Sequence, residues 1–119
     1  DKPTLGICLG MQLMGKTFNG HITERVNNHR ISKDYSHKVT INKKSLLFRI
    51  LDKEDITVNS LHSFAIPNTS LDISAYSSDG IIEAVEDKSK KFFLGVQWHP
   101  ELLDDDYSKK IFDYFISCI

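Results

Sequence analysis

The chain has 119 residues, and its 15 Lys and Arg nearly balance 16 Asp and Glu for a net charge of −1. This length suits one domain, and the balanced charge argues against a general electrostatic grip on nucleic acid or an anionic membrane. The two cysteines, Cys8 and Cys118, fit neither a disulfide framework nor a zinc spacing, so we expect a reducing, cytoplasmic compartment.

The first predicted elements are a strand, a sharp turn and a helix. Residues 3–7 are short, apolar and led by a proline, which a strand tolerates at its start. Leu9 to Phe18 predicts a helix that ends at Asn19-Gly20, a C-cap signal. Residues 19–36 are polar and predict mostly loop, with a short strand over Ile22–Val26.

Apolar alternation and short apolar runs predict a mostly β middle. The predicted strands are His37–Ile41, Ile56–Asn59, Leu71–Ser77, Ile81–Glu86 and Phe92–Trp98. Ser45–Leu51 suits either a helix or a strand, and Leu61–Asn68 is predicted to be a loop. Asp104–Asp106 offers N-caps for a last helix over Tyr107–Ile119. The order of these elements predicts an α/β fold.

Gly6-Ile7-Cys8-Leu9-Gly10 has the form of a nucleophile elbow with cysteine as the nucleophile. Such a turn exposes the side chain of its central residue at a helix N-terminus, where free N–H groups favour a thiolate. The N–H of Leu9 would point toward a developing oxyanion. The competing interpretation is a buried structural cysteine at an ordinary tight turn.

A second block, Gly95-Val96-Gln97-Trp98-His99-Pro100-Glu101, places a histidine after a predicted buried strand. The carboxyl ends of strands are where open α/β sheets bind ligands. Glu101 is placed to accept a hydrogen bond from His99 and so to fix its tautomer. A histidine after a strand is usually an ordinary loop residue, but Cys8, His99 and Glu101 together make a candidate triad.

These two blocks resemble the signatures of class I glutamine amidotransferase domains, on Pro3 to Met14 and on Gly95 to Glu101. Val58 to His62 and Ser78 to Ala84 are similar to the γ-glutamyl hydrolase-like branch, which includes γ-glutamyl-γ-aminobutyrate hydrolases. The resemblance covers nearly all of residues 2–116. It implies a flavodoxin-like α/β domain with a mixed sheet and a nucleophile elbow.

The resemblance also implies roles for single residues. Cys8 is then the nucleophile, His99 the general base and acid, and Glu101 the residue that orients His99. Leu9 matches an oxyanion donor. Gln12 and His62 match positions that hold or border the substrate. The implied chemistry is hydrolysis of a γ-glutamyl amide through a thioester, with no metal and no organic cofactor.

The sequence departs from the family pattern in two places. Family domains are roughly twice this length and begin before the elbow, so we expect residues 1–119 to be a single, N-terminally truncated domain. The strand at the elbow would then have an open edge, which a second chain or another copy of this chain would complete. Ser63-Phe64 replaces a polar pair, which puts the substrate specificity of that loop in doubt.

Three functions remain open at this point: a free-standing γ-glutamyl amide hydrolase, a glutaminase that supplies ammonia to a synthase partner, and a non-catalytic remnant or interaction module. His21, His29 and His37 are too loosely spaced for a metal site on one element, so we expect surface loop histidines and no metal site.

Overall fold

The computed structural model describes residues 2–17, 24–27 and 29–119. The strands are β1 (Thr4–Ile7), β2 (Glu24–Arg25), β3 (Arg30–Ile41), β4 (Asp55–Leu61), β5 (Phe64–Ala65), β6 (Asp72–Ser77), β7 (Ile82–Glu86) and β8 (Phe93–Val96). The helices are α1 (Leu9–Thr17), α2 (Leu46–Leu51) and α3 (Asp106–Ser117), with a short 3-10 turn at Pro100–Leu102.

The main sheet has six strands in the order β1-β8-β7-β6-β3-β4, and β2 pairs with β5 in a separate two-stranded ribbon. β1 and β8 are parallel, with Ile7 opposite Val96, whereas the other neighbours in the sheet are antiparallel. The expected α/β fold with a mixed sheet is therefore confirmed. Because β1 and β8 run in the same direction, the residues that follow them emerge at the same edge of the sheet.

Apolar side chains pack against the sheet in two clusters. The larger one includes Val96, Trp98 and Ile111, and residues from α2 and α3 pack against it. The smaller one is built on Met11 and Met14 of α1. Successive residues of a strand face opposite sides, so β8 contacts both clusters and fixes α1 relative to the rest of the fold.

Side-chain caps begin the two later helices. The hydroxyl of Ser45 accepts a hydrogen bond from the Phe48 N–H, at 3.0 Å, which starts α2. Asp105 accepts from the Ser108 N–H, at 2.8 Å, which starts α3. The cap predicted within Asp104–Asp106 is thus confirmed at Asp105, and a cap of this kind contributes about 1 kcal/mol.

The polar segment before residue 37 is where the predicted elements differ most from the structure. The loop prediction is wrong for residues 30–36, because β3 extends from Arg30 to Ile41. Most of those residues are exposed and their pairing with β4 shifts register between Ser32 and His37, so no apolar alternation marks the strand. β5 lies inside the predicted loop 61–68. The predicted helix end at Asn19-Gly20 lies outside the described residues.

Candidate active site

Cys8 occupies the turn between β1 and α1 with a φ of 51°. This left-handed conformation is uncommon for a residue with a side chain and costs of order 1–3 kcal/mol. The Cys8 N–H donates to the carbonyl of Val96, at 2.8 Å, which ties the turn to β8. A Cβ on Gly6 would lie 2.8 Å from Met14 Sδ and 2.9 Å from the Gly10 carbonyl carbon. The elbow therefore needs a glycine at position 6.

The sulfur of Cys8 has polar neighbours but a raised pKa. Burial raises the pKa of the thiol above its ordinary value, and the Glu101 carboxylate adds to the shift, while hydrogen bonds from the Leu9 N–H and the Gln97 side chain oppose it. Gln97 Nε2 lies 3.6 Å from Sγ. Burial thus outweighs these two hydrogen bonds in setting the pKa of Cys8, so a neighbouring base that takes the thiol proton would favour nucleophilic attack.

His99 and Glu101 form a close pair after β8. His99 Nδ1 lies 2.7 Å from Glu101 Oε2, and both side chains are partly exposed. Since a carboxylate only accepts, Nδ1 carries the hydrogen and Nε2 is left free to take a proton. The fully buried Asn59 holds the backbone of His99, accepting from its N–H at 2.8 Å and donating to its carbonyl at 2.9 Å.

The parallel pairing of β1 and β8 brings the two blocks of sequence together. Cys8 comes one residue after Ile7, and His99 comes three residues after its partner Val96. The thiol of Cys8 and the imidazole of His99 share no hydrogen bond in the described part of the chain. Catalytic hydrogen bonds are often formed only when substrate binds, so the pair remains a candidate nucleophile and base.

Gln12 and His62, the two predicted substrate-binding residues, meet at one backbone carbonyl. Gln12 Nε2 donates to the carbonyl of Phe64 at 3.0 Å, and His62 Nδ1 lies 2.8 Å from the same oxygen. Gln12 Nε2 also lies 3.4 Å from Gln97 Oε1. Both side chains are buried, so in this structure they order the loop around Phe64, and their predicted contact with substrate stays a prediction.

The prediction of surface loop histidines is wrong for His29, which is 3% exposed. His37 lies within β3 rather than a loop, and His21 lies outside the described residues. The spacing argument considered only one element, whereas the fold gathers His29 and His37 with His62 around the buried carboxylate of Glu83.

Three functional candidates were contained in the recognised blocks but received no role from the sequence. They are Asn59, which anchors His99, Gln97, which contacts the sulfur, and Glu83, at the centre of the histidines. All three are 0% exposed. The signal that could have found Gln97 and Glu83 is a polar residue inside a short apolar run, since buried polar groups are kept only where they are paired.

Comparison with known proteins identifies the family of the chain. The family model described as Peptidase C26 matches residues 1–101. The chain belongs to the Peptidase C26 family. The resemblance to class I glutamine amidotransferases and their γ-glutamyl hydrolase-like branch is thereby confirmed, since relatives in both groups match.

A Schizosaccharomyces pombe protein named as a glutamine amidotransferase is 37% identical, over 97% of this chain and 50% of that protein. The γ-glutamyl-γ-aminobutyrate hydrolase PuuD of Escherichia coli is 31% identical, over 97% of this chain and 53% of PuuD. The structure of a Thermoplasma acidophilum protein named as part of a GMP synthase superposes with a TM-score of 0.78 and 25% identity, over 98% of this chain and 56% of that one. This member of the Peptidase C26 family thus spans about half the length of the relatives it matches. Within the described residues, no helix is long and apolar enough to cross a membrane.

Proposed function

We propose that this protein hydrolyses a γ-glutamyl amide, with Cys8 as nucleophile, His99 as general base and acid, and Glu101 as the residue that orients His99. The observation that carries the proposal is the strained Cys8 turn, held against β8, at the edge where β8 leads into the His99–Glu101 pair. Membership of the Peptidase C26 family and the match to PuuD support the same chemistry.

In the acylation step the sulfur of Cys8 attacks the side-chain carbonyl carbon of the substrate. His99 Nε2 accepts the thiol proton as the carbon–sulfur bond forms, and Glu101 stabilises the resulting imidazolium. The Leu9 N–H, which forms a hydrogen bond with the Cys8 sulfur, would donate to the oxyanion. The imidazolium then protonates the leaving amine, the carbon–nitrogen bond breaks, and a γ-glutamyl thioester remains on Cys8.

In the deacylation step water takes the place of the amine. His99 removes a proton from the water as its oxygen attacks the thioester carbon. The carbon–sulfur bond then breaks, and the proton returns to the sulfur of Cys8. The products are a γ-carboxylic acid, which ionises by releasing its proton to solvent, and the regenerated thiol, so one water molecule is consumed per turnover.

Intact mass after exposure to a glutamine-mimicking electrophile tests the proposal. We expect one adduct, lost in Cys8→Ala and retained in Cys118→Ala, because Cys118 is the second free thiol and packs in the core beside α3. Hydrolysis of γ-glutamyl-γ-aminobutyrate should be lost with Cys8→Ala as well. No adduct on the folded protein would contradict the proposal and favour an interaction module.

A second candidate is a glutaminase that supplies ammonia to a synthase partner. It is supported by the structural similarity to the Thermoplasma acidophilum protein named as part of a GMP synthase. Comparing kcat/KM for glutamine and for γ-glutamyl-γ-aminobutyrate separates the two candidates. A hydrolase should prefer the larger amide without a partner, whereas a synthase-dependent glutaminase should act on glutamine and turn over slowly on its own.

A further inference from the structure

The carboxylate of Glu83 on β7 lies at the centre of three histidine rings. Its Oε2 is 3.5 Å from His29 Nδ1, 3.7 Å from His62 Nε2 and 3.9 Å from His37 Nε2. Glu83 is 0% exposed, and His29 and His62 are each 3% exposed. Elements far apart in the sequence thus bring four titratable side chains to one point inside the protein.

The far nitrogen of each ring lies against an oxygen that can only accept. His29 Nε2 lies 2.6 Å from Asp79 Oδ2, His62 Nδ1 lies 2.8 Å from the Phe64 carbonyl, and His37 Nδ1 lies 3.1 Å from the Lys38 carbonyl. The ring hydrogen of each neutral imidazole therefore sits on that far nitrogen. The nitrogen nearer Glu83 then carries a lone pair, directed toward a carboxylate that also offers only lone pairs.

Five buried atoms around Glu83 have no hydrogen-bond partner among the described residues. They are both carboxylate oxygens of Glu83 together with His29 Nδ1, His37 Nε2 and His62 Nε2. Burying a carboxylate without compensation is among the most costly arrangements in a protein. A positive species between the rings and the carboxylate would remove the cost, such as a proton shared between a ring and the carboxyl group or a metal ion.

The distances favour the metal ion. A hydrogen bond between an imidazolium and a carboxylate is about 2.7–2.9 Å long, well short of the 3.5–3.9 Å found at Glu83. Two ligands of a tetrahedral zinc ion with bonds of about 2.1 Å lie about 3.4 Å apart. His29, His62 and Glu83 each offer one ligand atom, and these three atoms lie within 4.8 Å of one another.

The surroundings of the rings point the same way. Histidines that bind metal almost always donate their other ring N–H to a carboxylate or a backbone carbonyl, which fixes the ring and makes it a better ligand. His29 and His62 each have such a partner, in Asp79 and the Phe64 carbonyl. Imidazole nitrogen together with one carboxylate is a ligand set of zinc and similar divalent transition metals.

We propose that His29 Nδ1, His62 Nε2 and the Glu83 carboxylate bind a divalent transition-metal ion of the zinc class. The role is structural, because His62 reaches the loop around Phe64 and the Glu83 carbonyl accepts from the Gln97 N–H, at 2.7 Å. The ion would link β7, which carries Glu83, to the segment after β4, which carries His62. This inference does not rest on the proposed hydrolysis.

The test uses the purified protein, stripped with a chelator and titrated with Zn²⁺ or Co²⁺. A Cys8→Ala, His99→Asn background removes the thiol and the imidazole of the candidate active site, which could bind a metal ion themselves. We expect about one ion per chain, visible Co²⁺ bands of a four-coordinate site, and a higher melting temperature with metal than with chelator. The proposal would be overturned if the wild type takes up no metal. It would also be overturned if the wild type takes up metal but the Cys8→Ala, His99→Asn variant does not.

Shape-preserving variants locate the ion. Asparagine keeps a donor near the Nδ1 position and glutamine near the Nε2 position, so His62→Asn and His29→Gln retain the far hydrogen bond and remove the ligand atom. Each of these two single variants, and the single variant Glu83→Gln, should weaken Co²⁺ binding by about 100-fold or more. Asp79→Asn should weaken it by about 10–100-fold. Unchanged binding in folded Glu83→Gln would refute the site.

A measurement on the unmodified protein covers variants that fail to fold. Histidine ¹⁵N resonances of the wild type should show His29 Nδ1 and His62 Nε2 shifting on addition of Zn²⁺. If these nitrogens instead gain protons as pH falls and ignore Zn²⁺, the cluster is a set of imidazolium ion pairs and the metal proposal is wrong.

Discussion

Replacing the buried side-chain nitrogen of Asn59 should lower the free energy of unfolding and displace the candidate base, His99. Asn59 is 0% exposed, and its Nδ2 donates to the carbonyls of Lys33, at 3.0 Å, and His99, at 2.9 Å. Asn59→Asp keeps the oxygen that accepts from the His99 N–H and puts a second oxygen where Nδ2 was. Each lost bond that strands a buried group costs about 1–3 kcal/mol, so we expect a loss of about 2–6 kcal/mol.

The loss should depend on pH. Burial and two facing carbonyls favour the protonated form of the introduced carboxyl, so its pKa in the folded state lies above its value in the unfolded chain. Between those two values the folded state binds the extra proton, and stability relative to wild type falls as pH rises. The protonated carboxyl restores one of the two hydrogen bonds, which makes the variant closest to wild type at low pH.

Urea unfolding followed by the fluorescence of Trp98, the single tryptophan, measures the effect. Asn42→Asp is the matched control, because Asn42 is exposed and uses only its side-chain oxygen in its hydrogen bond to the Lys44 N–H. We also expect kcat/KM to fall by about 10–100-fold, since His99 loses one of its anchors. A change in unfolding free energy within about 0.5 kcal/mol at both about pH 5 and about pH 8 would refute the reasoning.

Two further predictions concern the elbow and the thiol. Gly6→Ala should lower the free energy of unfolding by about 1–3 kcal/mol through overpacking. Gly10→Ala should instead raise it by up to about 1 kcal/mol through helix propensity, because a Cβ there meets no described atom within 4 Å. Equal melting temperatures for the two variants would contradict this prediction. Alkylation of Cys8 should accelerate as pH rises above neutrality, because burial raises the pKa of its thiol, and Gln97→Glu should slow it by removing a hydrogen bond that lowers that pKa. A rate that is flat from about pH 6 to 8 would instead indicate a preformed thiolate–imidazolium pair.

Local patterns were sufficient to predict the elbow, the last helix and most strands, because each of those segments carries its own apolar period or turn residues. Glycine at position 6 and the block ending in His99 and Glu101 belong to this class. Residues 30–36 of β3 could not be predicted from the sequence, because they are mostly exposed and their pairing with β4 is irregular. The predicted strand His37–Ile41 is the other end of β3. No feature of the sequence indicates the register shift between Ser32 and His37.

The histidine cluster escaped prediction for a different reason. His29, His62 and Glu83 are separated by tens of residues, and each has an ordinary local context. The sheet brings them to one place, because β4 pairs with β3, β3 with β6, and β6 with β7. Sequence spacing can predict ligand sets on one helix or one loop, but not sets assembled by a sheet.

The carbonyl of Phe64 has a consequence for how specificity can change over evolution. It takes hydrogen bonds from Gln12 and His62, and a carbonyl oxygen has two lone pairs, so its capacity is filled. The loop is held through its main chain, while the Phe64 side chain is 43% exposed. Selection can therefore exchange the side chain at position 64 without disturbing the backbone that Gln12 and His62 hold.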